Sequence, residues 1–317
     1  MMGFFNVYKE AGYTSHDVVA IIRKLTGCKV GHTGTLDPQA EGVLPICLGR
    51  ATKLADMVMG QDKSYIAEVV LGVVTDTGDM TGQILGQSTV DYDSADFHEK
   101  NIHRVVERFR GQQMQMPPMY SAIKIGGKKL YELARKGQTV ERKPRAVNIE
   151  SIQVTGFTPE NNKFTIDVTC SKGTYIRSLC ADIGEALGTG AAMGALLRTR
   201  SGAFSLDGAA KIGEIREAAA DGRLGDLLLP VEDVLPFSRA YVKARGLDMA
   251  KNGNPLPLDL VETMAETEGA SGEGLAISID NLKQGDKYKF WLHGPDGLIG
   301  LFSVDTTIGK LRAEVML

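Results

Sequence analysis

Apolar positions recur along this chain in two rhythms, and their succession outlines its organisation. Residues 4–8 alternate like a short strand. Ser15 is a good N-cap for a helix running to about residue 25, with Val18, Val19, Ile21, Ile22 and Leu25 as its apolar stripe. A glycine-rich loop follows. Residues 43–48 then form a continuous apolar run that predicts a buried strand, and residues 51–59 a short helix. Residues 65–74 predict a strong strand, and residues 96–109 a helix. The two prolines after Met116 keep residues 115–124 extended. A short helix is expected over 130–136. Strands over 147–157 and 163–170 are joined by a turn-rich segment, and a helix opens near residue 172 and runs to about 187. The pattern changes near Pro230 and Pro236. Beyond it, strand-like runs at 275–279, 288–293 and 298–304 predict a small all-β domain from about residue 237. Strands outnumber crossover helices and hairpins dominate. The expected class is therefore α+β, with a mixed, mainly antiparallel sheet rather than a doubly wound parallel one. The expected division is 1–236 and 237–317.

Composition narrows the chemistry. At 317 residues, 43% hydrophobic and 24% charged, the chain has the make-up of a globular protein with a sizeable core. The four cysteines form no C-x-x-C pair and show no metal-ligand spacing with the five histidines, so reduced thiols and no metal site are expected. No apolar run approaches the roughly 20 residues that span a bilayer, and no basic leader precedes an apolar one. A cytoplasmic protein without membrane contact is expected. Residues 188–194 look briefly like a dinucleotide fingerprint but are one residue too long and follow a helix. No P-loop or serine elbow is present, so no cofactor is expected.

Net charge is −3, yet its distribution matters more. Between residues 122 and 146 lie Lys124, Lys128, Lys129, Arg135, Lys136, Arg142, Lys143 and Arg145, opposed only by Glu132 and Glu141, a local charge of +6. Asp259, Glu262, Glu266, Glu268 and Glu273 occupy a stretch without Lys or Arg. The basic segment suits phosphate contacts, whereas the acidic one does not.

The most telling string is Gly31-His32-Thr33-Gly34-Thr35-Leu36-Asp37-Pro38, continuing to Lys53. Three glycines and two prolines within residues 31–45 fix a loop that presents one carboxylate, Asp37. An isolated Asp-Pro commonly starts a turn. Here it belongs to several ordered blocks. Lys9, Gly12, Thr14 and Ser15 form one, with Glu10 where a proline is usual. Lys63-Ser64-Tyr65, Pro117 to Lys124 and Cys170 to Arg177 form others. Gly190 to Thr199 departs from its pattern at Ala192, Met193 and Leu197 but keeps Leu196. Together these blocks resemble the TruB-type tRNA pseudouridine synthases over residues 4–236. The remainder resembles a small PUA-like RNA-binding fold.

That resemblance implies an isomerase that detaches a uridine base, rotates it and rejoins it through carbon 5, with no cofactor. It implies a catalytic Asp37, a stacking Tyr65 and an Arg177 that pairs with the carboxylate. Arg177 sits near a helix start, an unfavourable place for a cation in the helix dipole, which also suggests a role other than helix stability. Tyr175 and Leu196 are expected to wall the base pocket, with His32 where a flipped nucleotide leaves its stack and Lys9 among the substrate-binding residues. The expected partner is the T-arm loop of tRNA, at position 55 in tRNA numbering, gripped by Lys124, Lys128, Lys129, Arg135, Lys136, Arg142 and Lys143 in an insertion over 124–145. That insertion favours a stand-alone monomer needing no guide RNA or protein subunit. A catalytically silent RNA-binding protein on the same scaffold is the competing reading, against which the intact Asp37, Tyr65 and Arg177 argue.

Overall fold

The computed structural model describes residues 1–91, 99–265, 288–305 and 309–317. Its first strand, β1 (Gly3–Lys9), leads into α1 (Ser15–Thr26). The cap of α1 is Thr14 rather than the expected Ser15: Thr14 Oγ1 accepts from Asp17 N, and Asp17 Oδ2 accepts from Thr14 N. This reciprocal box leaves Ser15 as the first helical residue, its hydroxyl turned elsewhere. β2 (Val30–His32) and β3 (Glu41–Leu48) flank the glycine-rich loop, and α2 (Ala55–Met59) follows. The strand expected over 65–74 divides into β4 (Lys63–Leu71) and β5 (Val73–Thr75). Gly72 makes the break, with φ +77° and space for a Cβ only 2.6 Å from the Ser88 carbonyl oxygen. β5 pairs in a hairpin with β6 (Ile84–Gln87).

Next come α3 (Glu99–Glu107), β7 (Gly111–Gln115), the small hairpin β8 (Lys124–Ile125) and β9 (Lys128–Lys129), and α4 (Leu130–Ala134). β10 (Arg145–Thr158) and β11 (Lys163–Cys170) form the long central hairpin, followed by α5 (Ile176–Ala186). β12 (Ala191–Ser201), β13 (Phe204–Ser205), β14 (Ala210–Lys211), α6 (Ile212–Ala220) and α7 (Val231–Val234) complete this part. The ten-stranded sheet runs β14-β1-β3-β12-β4-β11-β10-β7, with β2 on β3 and β13 on β12. Its pairings are antiparallel except β1 with β14 and β12 with β3. β12 lies between β3 and β4, and so brings the end of the glycine-rich loop beside Tyr65.

Beyond residue 237 a second sheet runs β16-β20-β19-β18-β15-β17. Its strands are β15 (Ser238–Val242), β16 (Leu256–Pro257), β17 (Val261–Ala265), β18 (Lys289–Gly294), β19 (Gly297–Asp305) and β20 (Lys310–Met316), with α8 (Leu247–Lys251) between β15 and β16. The strand expected over 275–279 and most of the acidic stretch lie outside the described residues. Among the described residues, no helix is long and apolar enough to cross a membrane.

The core explains the continuous apolar run in β3. Leu44, Ile46 and Leu48 join Phe5 and Val7 in the main cluster under α1, α5 and α6. Val43 and Cys47, from the other face of β3, join Phe4, Leu54, Phe204, Trp291 and Leu301 in a second cluster. β3 is therefore buried on both faces, the second by the C-terminal sheet.

Candidate active site

The loop bearing Asp37 is pinned along its length. Thr33 N donates to Pro45 O at 3.1 Å. The Ser15 hydroxyl accepts from Leu36 N at 2.9 Å and reaches Leu36 O at 3.2 Å. Gly12 N and Lys9 Nζ both donate to Pro38 O, at 2.9 and 3.0 Å, and Ala40 N closes a turn on Asp37 O. Lys9 is fully buried and also bonds Glu10 O, so the structure places it beneath the loop as a support. Burial lowers its pKa to about 8, opposed by Glu41 and Asp37. Where the loop re-enters β3, Gly42 has φ +105°, and a Cβ there would collide with the Arg198 carbonyl oxygen. Only glycine permits that approach.

Arg177, on the first turn of α5, faces this loop. Its Nε lies 3.0 Å from Asp37 Oδ2 and its Nη2 3.4 Å from Asp37 Oδ1, a two-point pairing. Nη2 also donates to Tyr120 O at 2.7 Å and Nη1 to Thr77 O at 3.1 Å, with Asp79 Oδ2 at 3.8 Å. The guanidinium side chain is 6% exposed and the Asp37 side chain 39%. The carboxylate thus faces the opening, with its cation behind it. Burial raises the Asp37 pKa from its ordinary value. Arg177 and Lys9 oppose that rise, and Asp79 adds to it.

Tyr65 on β4 is buried, and burial raises its phenol pKa, with Arg198 acting in the opposite sense. Leu196 is buried on β12 opposite Ala67, two residues along β4 from Tyr65. Tyr175 caps α5. Its N–H donates to Gln115 Oε1 at 2.8 Å and its carbonyl accepts from Gln115 Nε2 at 3.0 Å, which fastens the end of β7 to the start of α5. His32 Nδ1 accepts from Gly34 N at 3.3 Å, and the ring stands edge-on to His16 at 5.5 Å. Burial, with the nearby His16 and Arg198, lowers the His32 pKa to about 4, so the ring is neutral at pH 7.

Comparison with known proteins bears on this arrangement. The family model for the N-terminal domain of TruB family pseudouridylate synthases matches residues 23–176, and that for the tRNA pseudouridylate synthase B C-terminal domain matches residues 177–236. The tRNA pseudouridine synthase B of Alkaliphilus oremlandii is 48% identical over 272 residues, covering 85% of this chain and 88% of the relative. That of Pelotomaculum thermopropionicum is 43% identical over 306 residues, covering 95% and 90%. The chain belongs to the TruB family of pseudouridylate synthases. Its enzyme class is accordingly isomerase. Among solved structures, a chain of a Cbf5-Nop10-Gar1 complex superposes with TM-score 0.68 at 26% identity, covering 99% of this chain and 84% of that one. The mixed α+β fold and the PUA-like character of the C-terminal sheet agree with that neighbour.

In this TruB-family site, sequence reasoning missed three contributors. Asp79 lies in the turn between β5 and β6, where Oδ1 accepts from Thr77 Oγ1 and Thr81 N. The run Asp76-Thr77-Gly78-Asp79-Met80-Thr81-Gly82, dense in self-bonding polar residues, was the available signal. Gln115 gave none, since its partner is remote in sequence, whereas Arg198 lies in the Gly190–Thr199 block without having been given a role there. The basic insertion folds as the β8–β9 hairpin and α4. Leu130 and Leu133 are buried, and Lys124, Lys128, Arg135, Lys136 and Lys143 are exposed. Lys129 and Arg135 each lie 5.4 Å from the Tyr131 ring centre, and Arg142 donates to Pro117 O at 2.9 Å.

Proposed function

We propose that this protein converts the uridine at position 55 in the T-arm loop of tRNA to pseudouridine, with Asp37 as nucleophile acting on a flipped-out nucleotide. The observation that carries the reading is the two-point Arg177–Asp37 pair, in which the guanidinium is buried and the carboxylate faces the opening. A carboxylate paired with and oriented by a buried guanidinium is equipped to attack an electron-poor carbon. Attack at the sugar C1′, addition at the base C6 and removal of a sugar proton all begin from that group. Tyr65 stacks on the base, while Tyr175 and Leu196 wall the pocket. His32, neutral and with Nδ1 already engaged, stands at the edge the flipped nucleotide passes. Flipping costs a few kcal/mol, which pocket stacking and hydrogen bonds offset.

The name of the relatives supports tRNA as the substrate, and the exposed cations of residues 124–145 support its capture by a single chain without guide RNA or partner subunit. Incubating the full chain with an unmodified tRNA transcript, followed by nucleoside analysis, tests the reading. Pseudouridine should appear at position 55, and Asp37→Asn should abolish it while tRNA binding and melting temperature persist. Substantial turnover by Asp37→Asn would remove Asp37 as the nucleophile. Absence of product with the native chain would favour the silent RNA-binding alternative.

A further inference from the structure

The basic insertion is rooted beside the helix that carries Arg177. Gln115 ends β7 and Arg145 opens β10, and the two are partners in the sheet, so residues 116–144 leave and return side by side. Gln115 is 3% exposed, and its side-chain amide engages the main chain of Tyr175 in both directions. Its Oε1 accepts from Tyr175 N at 2.8 Å and its Nε2 donates to Tyr175 O at 3.0 Å. Only one orientation of the amide serves both partners, because the N–H must meet oxygen and the carbonyl must meet nitrogen.

The two halves of this contact do different things. Tyr175 caps α5 with no side-chain bond of its own, and the Gln115 oxygen satisfies an orphan donor there. A cap needs only such an acceptor, which Ser, Thr or Asp usually supplies. The donor half goes further. Tyr175 O already accepts the first helical bond from Leu179 N at 3.0 Å, so Gln115 adds a second bond to a carbonyl that has a partner. Holding both the N–H and the C=O of one residue fixes the peptide units on either side of it. The chain after Gln115 stays on the same turn of α5. Met116 O accepts from Ser178 Oγ at 2.9 Å, and Tyr120 O from Arg177 Nη2 at 2.7 Å. The root of the insertion and the cation paired with Asp37 thus share one turn of helix.

We propose that Gln115 is a positioning residue for the isomerisation: from the root of the insertion its amide fixes the main chain of Tyr175, and through the first turn of α5 the reach of Arg177 to Asp37. The inference rests on the reading of Asp37 and Arg177 given above. Arg177 lies two residues beyond Tyr175, so a turn of the Tyr175 peptide is passed to the guanidinium. Its contacts with Asp37, at 3.0 and 3.4 Å, leave little room for displacement. Gln115 acts through these neighbours and needs no contact with RNA.

The test uses the full chain and unmodified tRNA transcript, with single-turnover rates at saturating tRNA and separate binding curves. Gln115→Met keeps the length of the side chain and removes both bonds. It should slow the chemical step by about 10- to 100-fold, as expected for a displaced catalytic group, with tRNA affinity within about twofold of native. In an Arg177→Lys background the same substitution should cost no more than about threefold, because the cation it positions is already misplaced. Equal losses in the two backgrounds, or a loss confined to affinity, would overturn the proposal. Where melting shows that Gln115→Met does not fold, Gln115→Glu serves. An ionised carboxylate still accepts from Tyr175 N but has nothing to donate to Tyr175 O, whereas the protonated carboxyl does both. The rate of Gln115→Glu relative to native should be about tenfold down in alkaline buffer and recover as the pH falls. A ratio that does not change with pH would overturn the proposal.

A second measurement needs no RNA. Amide hydrogen exchange at Tyr175, followed by NMR of the tyrosine-labelled free protein, should be at least about tenfold faster in Gln115→Met than in the native chain. Unchanged exchange overturns the hydrogen bond and the proposal with it. Faster exchange with an unaltered chemical step leaves Gln115 as a helix cap and overturns the positioning role. Failure of the underlying reading looks different. The native chain would then form no pseudouridine, or Arg177→Lys alone would leave the rate intact, while the exchange difference at Tyr175 persisted, and the positioning role would fall with that reading.

Discussion

At the residue scale, the site is a balance between burial and paired charge. Burial raises Asp37, and Arg177 is the first opposing influence. Under the proposed function ionised Asp37 is the reacting form, so the chemical step should rise with pH through the Asp37 pKa. Removing the cation in Arg177→Met raises that pKa further and should move the acid limb of the single-turnover profile to higher pH, with a large fall in rate. Arg177→Lys should also be poor, because an ammonium cannot pair at two points and still reach Tyr120 O and Thr77 O. An acid limb unmoved in Arg177→Met would show that the pair does not set the carboxylate's charge. The rigid Asp37 loop was readable from its glycines and prolines, and the Arg177–Asp37 pairing that the family resemblance implied is present in the structure. The parts played by Asp79, Gln115 and Arg198 were not readable, because each acts through a partner that only tertiary folding supplies, although Asp79 lies in a turn-rich run and Arg198 in a matched block. Arg198 meets Gly34 and Val43 across more than 150 residues.

At the element scale, most strands and helices followed from periodicity, and the departures have local causes. Gly72 splits one long apolar run into β4 and β5. β12, a central strand, was hidden because it opens on Ala191-Ala192-Met193-Gly194-Ala195, mostly small residues with weak strand character. Its place is set by pairing with β3 and β4 rather than by its own propensity. The basic insertion carries a prediction at this scale. Neutralising several of Lys128, Lys129, Arg135, Lys136, Arg142 and Lys143 should weaken tRNA binding and flatten its salt dependence, by roughly 0.7–0.9 of log–log slope for each phosphate no longer neutralised. The chemical step at saturating tRNA should change far less. Lys128, Lys136 and Lys143 should carry more of the slope than Arg142, whose guanidinium is engaged with Pro117 O. Native salt slopes in the multiply neutralised chain would place the RNA grip elsewhere.

At the scale of the whole molecule, the two sheets share a core. Trp291 of β18 is fully buried among side chains from β1, β3 and the segment after β3, and its Nε1 donates to Leu235 O at 2.8 Å. On the polar side of this junction, Glu232 Oε1 accepts from Arg239 Nε at 2.7 Å and lies 3.1 Å from His293 Nε2. Trp291→Ala should therefore destabilise the entire chain by about 3–5 kcal/mol, measured by denaturant unfolding. Truncation near residue 237 uncovers the outer face of β3, so its first cost should be stability, while the folded fraction keeps single-turnover chemistry. A truncated chain as stable as the native one would show that the shared cluster contributes little. The strands of this region were readable from the strand-like runs at 288–293 and 298–304, whereas the short helix α8 was not expected. The attachment of the region was not readable, because the apolar residues 43–48 look the same whether one partner covers them or two.

The double-sided burial of β3 also bears on how activity disappears on heating. The strand that holds the Asp37 loop belongs to both hydrophobic clusters, so neither can melt without releasing it. Calorimetry should then show one endotherm with matching calorimetric and van't Hoff enthalpies, and catalysis should fade along that same curve rather than below it. Inactivation and aggregation would begin together, leaving no temperature window in which the protein is intact but idle.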